Sequence, residues 1–189
     1  MDGETVWMVV GGAPCTGKTT LARRLAGELR APLISKDGVK VPLFDALGAK
    51  DREWSRRLDG AAYAVLFATL EEELRAGRSA IVEANFKPAQ HRARIMEMAA
   101  RWRCRTVELF CRTETETLLR RFDARAASGQ RHPGHCDEAL RRELRAMVED
   151  GRYAPLDLGG PLLEVDTTRF DEDAWRRTLQ WAKAAWARP

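Results

Sequence analysis

The sequence predicts an α/β fold in which a parallel sheet is covered by helices on both faces. Short apolar runs alternate with stretches of helical periodicity from end to end, and a glycine-rich turn joins the first run to the first helix. No repeat, linker or low-complexity tract interrupts that alternation, so one domain spanning 1–189 is expected.

Thr5 to Val10 reads as a buried strand ending at Gly11-Gly12. Leu21, Leu25 and Leu29 recur at helical spacing, and Pro32 closes that helix. Leu33-Ile34 is a second, very short strand. From Glu53 to Ala76, a helical stripe runs through Trp54, Leu58, Ala62, Val65 and Thr69, with Gly77 as its stop. Ser79 to Ala84 returns to a strand, Pro88 to Arg101 to a helix, and Thr106 to Cys111 to a strand. Thr113-Glu114-Thr115-Glu116 has capping-box spacing and opens a helix carrying Leu118, Leu119 and Phe122. A Gly, Pro and His loop follows from Ala127 to Cys136, and Asp137 is expected to cap a helix reaching about Glu149. Leu162 to Val165 is the last strand. In the last helix, Asp171 to Ala187, Trp175, Leu179, Ala182 and Trp186 share a face, whereas Trp181 falls off it and suggests a contact surface.

The net charge of +4 is carried largely by arginine. A basic stripe for nucleic acid would account for that, but acidic residues accompany the basic ones almost everywhere, as in ordinary exposed helices. The four cysteines show no paired spacing and read as reduced thiols. The acidic start Met1-Asp2-Gly3-Glu4 lacks a leader's apolar core, and the longest apolar run, Ala61 to Leu70, is half a bilayer span. A soluble, cytoplasmic protein without a membrane partner is expected.

Gly12-Ala13-Pro14-Cys15-Thr16-Gly17-Lys18-Thr19 fits G-x-x-x-x-G-K-[ST] at every fixed position, between a predicted strand and a predicted helix. The glycines let successive N–H groups point inward at phosphate oxygens, and the helix adds its positive dipole end. ATP binding at Gly12 through Thr20 is therefore expected, with Lys18 reaching the β- and γ-phosphates and Thr19 ligating Mg²⁺.

Ser35-Lys36-Asp37-Gly38-Val39-Lys40 follows the second strand, at the sheet end where ligands bind. Asp37 can accept the proton of an incoming hydroxyl, with Lys36 and Lys40 keeping it ionised; it can equally cap the next helix. Ile81-Val82-Glu83-Ala84-Asn85-Phe86 ends the third strand with an acid. Glu83 is a candidate for holding Mg²⁺-bound water or orienting a cation near the acceptor, and Asn85 for hydrogen-bonding that acceptor. Arg121 and Arg125 are four apart on one helix face, ahead of the loop Gln130-Arg131-His132-Pro133-Gly134-His135. Together they suit a lid, about 120–140, that closes cations over transferring phosphate. His132, His135 and Cys136 lack a fourth ligand for zinc, so lid-loop histidines are the simpler account.

In these blocks the chain resembles the small P-loop kinases that include chloramphenicol phosphotransferase, zeta toxins and the kinase domain of phage polynucleotide 5′-kinase. The blocks are Gly12 to Thr20, Ser35 to Lys40, Ile81 to Phe86, Leu118 to Arg125 and Val165-Asp166-Thr167-Thr168. The resemblance implies a three-layer, nucleoside-kinase-like P-loop fold with a five-stranded parallel sheet of order 2-3-1-4-5. It implies transfer of the ATP γ-phosphate to a hydroxyl, with Asp37 as base and Lys40 as the basic residue after it. Glu83 matches the acid after the third strand, Arg121 and Arg125 the lid arginines, and Asp166 to Thr168 the strand end near adenine. Lys40 stands where related polynucleotide kinases often carry Arg, and Glu83 where Asp is usual.

A kinase for a small-molecule hydroxyl (nucleoside, sugar or antibiotic) is the leading expectation, and a 5′-hydroxyl polynucleotide kinase its rival. A nucleoside-monophosphate kinase fits less well, because Asp37 would repel an anion placed beside it. A nucleotide-dependent switch or regulatory ATP-binding module is the reading from another class. The acceptor pocket is expected between the second and third strands, about Val41 to Arg78, with Phe44, Trp54, Tyr63 and Phe67 more core than substrate stack. Neither the acceptor nor the oligomeric state is readable from the sequence.

Overall fold

The computed structural model describes residues 5–187 except 130. The N-terminal residues Met1 to Glu4 and the loop residue Gln130 noted above lie outside the described residues. Five parallel strands form one sheet: β1 (Val6–Gly12), β2 (Leu33–Ser35), β3 (Ala80–Glu83), β4 (Arg105–Arg112) and β5 (Leu162–Asp166). Their order is β2-β3-β1-β4-β5, as the resemblance implied. Among the described residues, seven α-helices accompany them: α1 (Lys18–Leu29), α2 (Lys36–Leu47), α3 (Arg52–Arg75), α4 (Pro88–Arg101), α5 (Thr115–Ala127), α6 (Asp137–Glu149) and α7 (Glu172–Trp186). No described helix is long and apolar enough to cross a membrane.

The period-2 alternation of β1 divides the core into two layers. Val6, Met8 and Val10 face Leu21 and Leu25 of α1 and Trp175 of α7. Trp7 and Val9 face Phe67 and Leu70 of α3 and Ile95 of α4. Trp181 packs, partly buried, on the first of these layers, so it is core-facing rather than an unused contact surface. A smaller cluster joins Leu118, Leu119 and Phe122 of α5 to Leu144 of α6 and Ala13 of the glycine-rich turn.

Several local expectations are corrected. The buried stripe of α3 runs through Ser55, Leu58, Ala62, Leu66, Leu70 and Leu74; Val65 and Thr69 are exposed. The Thr113 capping box does not form. The α5 N-terminus is capped from the end of β5, where Thr168 Oγ1 accepts the Glu114 N–H at 3.1 Å. Asp137 is the first residue of α6, and its carboxylate pairs with Arg131 instead of capping.

Strand register sets up the site. Val10 of β1 and Ser35 of β2 both pair with Glu83 of β3, so the ends of three strands lie abreast. The glycine-rich turn, the start of α2 and the Glu83 carboxylate therefore converge on one end of the sheet.

Candidate active site

Gly12 has φ 138, and a Cβ there would collide with the Cys111 carbonyl and lie 2.8 Å from Thr16 Oγ1. Gly17, at φ 79, starts α1, whose N-terminus has no side-chain cap and no acid in its first turn. Uncapped N–H groups beside a lysine suit an anion. Thr16 Oγ1 donates to Ala13 O at 2.8 Å, closing the turn, and Thr167 Oγ1 donates to Thr16 O at 2.8 Å, tying it to β5.

Lys18, only 8% exposed, donates to Ala13 O at 3.4 Å and lies 3.7 Å from Glu83 Oε1. Burial lifts the Glu83 carboxyl above its usual range, while Lys18 and a Thr19 hydrogen bond pull it back. The Glu83 carboxylate, 3% exposed, and the Thr19 hydroxyl hydrogen-bonded to it are oxygen donors that fit Mg²⁺.

Asp37 stands in the first turn of α2, but Ser35 is the cap, accepting from Gly38 N at 3.0 Å. That separates the two readings of Asp37: its carboxylate is not consumed by capping. It ion-pairs with Lys36 at 3.2 Å, while Oδ1 is shielded from solvent and lacks a well-aligned donor. Burial alone would raise this carboxyl; the charges of Lys36, His135, Lys18 and Arg131 outweigh it and hold Asp37 far below the usual carboxylate range. His135 acts only when charged, and burial with Arg131 nearby pushes its ring down to about 3. At neutral pH the lysines and Arg131 therefore keep Asp37 ionised.

Lys36 and Lys40 are linked across α2 and α3. Both ammoniums lie 2.8 Å from Asp59 Oδ1, and Lys40 also donates to Ser55 Oγ at 3.0 Å. Lys36/Lys40 and Ser55/Asp59 are matched i,i+4 pairs on facing helices. Lys40, 2% exposed, is thus satisfied internally and anchors α3 as well as bordering the cleft. Asp59→Ala is expected to cost about 3 kcal/mol, at the low end for a buried pair because the Asp59 side chain is 32% exposed. The thermal midpoint should fall by about 6–12 °C in a melt at neutral pH.

The predicted lid residues separate into two roles. Arg121 donates to Thr167 O at 2.7 Å and Thr168 O at 3.3 Å, and with Thr167, Arg24 and Phe170 it lines a cavity of about 320 Å³ beside the turn. Thr20 lines the same cavity. Arg125 has two guanidinium nitrogens shielded from solvent without a hydrogen-bond partner among the described residues, and its charge acts on Cys15 of the turn. Arg131 was missed as a site residue. Its charge also acts on Cys15, it lines the larger cavity described below, and it is held by Asp137. The loop docks on α2 through Phe44, whose ring stacks on His132 at 4.9 Å and meets His135 edge-on at 5.3 Å. Any side chain at Gly134 would run into that ring. Among the described residues, no group of three metal-ligating side chains surrounds these histidines.

A second cavity, about 600 Å³, opens between α3, α4 and the segment around Tyr153. Pro14, Lys36, Lys40 and Asn85 line it, as do Tyr63 and Phe67, so those two aromatics border the cavity although Phe67 is also core. Asn85 Oδ1 is shielded and unpartnered, and the Asn85 carbonyl accepts from Tyr63 OH at 3.1 Å.

A parallel sheet of this order with such a phosphate cradle defines a P-loop kinase-like nucleotide-binding protein. The AAA domain family model matches residues 6–150, and the chain belongs to that family. A crystal structure from Chloroflexus aurantiacus J-10-fl, described only provisionally as a kinase, is 38% identical with a TM-score of 0.87, over 97% of this chain and 99% of that one. Kti12 of Chaetomium thermophilum, solved with ADP-AlF3, is 22% identical with a TM-score of 0.65, over 96% of this chain and 99% of that one. A sugar kinase from Janibacter sp. HTCC2649 is 18% identical with a TM-score of 0.63, over 96% of both chains. The latter two likenesses concern the fold. No curated protein matches the chain.

Proposed function

We propose that the chain transfers the γ-phosphoryl group of ATP to a hydroxyl of a small molecule seated in the larger cavity, with Asp37 as the base. The observation that carries this reading is Asp37 itself. It is kept ionised and left without an aligned donor, and its partner Lys36 lines the acceptor cavity while Lys18 belongs to the phosphate cradle.

Lys18 and the backbone N–H groups between Gly12 and Thr20, Pro14 excepted, hold the triphosphate, and Arg121 and Thr167 border the nucleoside. Thr19 and Glu83 are the residues that would hold Mg²⁺, which neutralises phosphate charge when bound. Asp37 orients the acceptor hydroxyl as its oxygen bonds to the γ-phosphorus. The bond from that phosphorus to the bridging oxygen breaks, ADP leaves, and the hydroxyl proton passes to Asp37 and then to solvent.

A carboxyl held this low is a weak base, which suits a loose transition state in which the nucleophile gives up its proton late. Arg125 and Arg131 supply positive charge from the lid side. A radiolabelled-ATP screen across nucleosides, sugars, aminoglycosides and 5′-hydroxyl oligonucleotides tests the reading. It expects acceptor-dependent transfer; nucleotide uptake with no transfer to any acceptor would favour a switch or regulatory module instead.

A further inference from the structure

The larger cavity is far more cationic than a neutral acceptor requires. Eight Lys and Arg side chains line it against a single carboxylate, Asp59. Crediting every further carboxylate paired with those cations (Asp37, Glu143, Asp137 and Asp150) still leaves an excess of three positive charges. The surplus is not spread evenly. Lys36, Lys40, Arg52, Arg56, Arg131 and Arg152 each have an acidic partner, whereas Lys87 and Arg94 have none among the described residues.

Lys87 precedes α4 and Arg94 lies seven residues on, two turns along the face that also carries His91 and borders the cavity. Arg94 packs its guanidinium 4.2 Å over Phe67, and the Lys87 ammonium sits 5.6 Å from the Tyr153 ring, so both are held over aromatic surface. Burial pushes the Lys87 ammonium down, and Arg152, Lys36 and Arg52 push it further against the pull of Asp59. Holding like charges together costs stability, and an anion between them offsets that cost. Across the cavity, Arg52 Nε is shielded from solvent with no acceptor.

We infer that the acceptor is a small hydroxyl compound bearing a phosphate or carboxylate, which Lys87 and Arg94 hold while its hydroxyl is presented to Asp37. This rests on the proposed phosphotransfer reading. The anion lies on the α4 side of the cavity and the Asp37 charge at the phosphate cradle, so one ligand can meet both without repulsion at the reacting end. A volume of about 600 Å³ matches a small molecule rather than a nucleic-acid strand. Tyr63 and Tyr153 offer apolar walls for the part between hydroxyl and anion.

Two measurements test the inference. With a non-hydrolysable ATP analogue saturating the phosphate cradle, inorganic sulfate is titrated calorimetrically at constant ionic strength. The wild type should take up one sulfate, and Lys87→Ala/Arg94→Ala should weaken that uptake about 10- to 100-fold, with Lys87→Arg/Arg94→Lys recovering most of it. Retained uptake of the ATP analogue reports an intact fold. No sulfate binding beyond the cradle, or equal binding in the double alanine variant, overturns the inference.

Matched neutral and anionic acceptors are then compared for transfer from labelled ATP. The anionic members should be preferred in kcat/KM, and the double alanine variant should erase that preference mainly through KM. Equal use of both members, or faster use of a 5′-hydroxyl oligonucleotide than of any small anion, overturns it. Sulfate uptake at Lys87 and Arg94 without transfer to any acceptor would sink the kinase reading and leave the anion site standing.

Discussion

Asp37→Asn is expected to slow transfer about 10²- to 10⁴-fold while leaving the affinity for ATP nearly unchanged. Asparagine keeps the shape of the side chain but cannot take a proton. The cradle that binds the triphosphate is built from Gly12 to Thr20, to which Asp37 contributes no hydrogen bond. The fold should persist at some cost in stability, because Lys36 keeps Asp59 as its counter-ion when the Asp37 charge is removed. Single-turnover transfer from labelled ATP, set beside calorimetric binding of a non-hydrolysable analogue, separates the two effects. Equal loss of binding and transfer would make Asp37 a nucleotide ligand, and full activity would remove it from the chemistry.

The pH dependence follows from the same charges. Asp37 is depressed in the folded protein, so it is already ionised wherever the chain is folded at ordinary pH. No acid limb of kcat/KM between about pH 5 and 8 should belong to it. Its contribution to stability is present in full above the unfolded carboxylate value of about 3.9 and is lost as pH falls through the lower folded value. Asp59, also depressed against burial by Lys36 and Lys40, follows the same course. Acid unfolding should therefore begin below about pH 4, and an Asp37→Asn/Asp59→Asn protein should show a flatter acid limb.

The parts of this site that obey a local rule were legible in the sequence. The cradle is a contiguous motif, and the strands that carry it are apolar runs bounded by glycine, so both fold class and phosphate site could be read from spacing. Asp37 and Glu83 are named by position relative to strand ends, and the register of β1, β2 and β3 is what brings them beside the cradle; Arg121 is named by its helix-face spacing with Arg125. What escaped notice lies on helix faces that carry charge. The buried face of α2 is Lys36, Lys40 and Phe44, a stripe with two lysines that apolar periodicity cannot see, and Gly38 and Pro42 add breaking signals inside it.

On α3 the cavity face runs through Arg52, Arg56, Asp59 and Tyr63 beside the apolar stripe and meets it at Phe67. Those residues recur at i, i+4, i+7, i+11 and i+15, and that spacing was the available signal. Lys87 and Arg94 gave no local cue, since only tertiary packing opposes them to α3. The failed capping box has the same root. Thr113 Oγ1 meets Thr168 Oγ1 at 3.1 Å, a contact made fifty-five residues away along the chain.

Lys18→Ala is expected to lower transfer about 10³-fold or more, the scale set by a cation on the transferring phosphoryl group. The structure adds a second consequence that distinguishes this variant from simple loss of a ligand. Lys18 is the leading opposing charge for the Glu83 carboxyl, which burial already raises. An acid whose folded pKa exceeds its unfolded value binds more protons when folded, so its cost to stability grows as pH rises through that interval. Removing Lys18 moves the folded value of Glu83 further up and widens the interval toward neutrality.

The thermal midpoint of Lys18→Ala should therefore fall further behind wild type at pH 7 than at pH 5, and Lys18→Ala/Glu83→Gln should lose that pH dependence without recovering transfer. Melts at the two pH values, with transfer assays on the same preparations, check both halves. A deficit independent of pH would mean that Lys18 does not sustain the charge on Glu83, and the carboxylate assigned to Mg²⁺ would need another source of stabilisation.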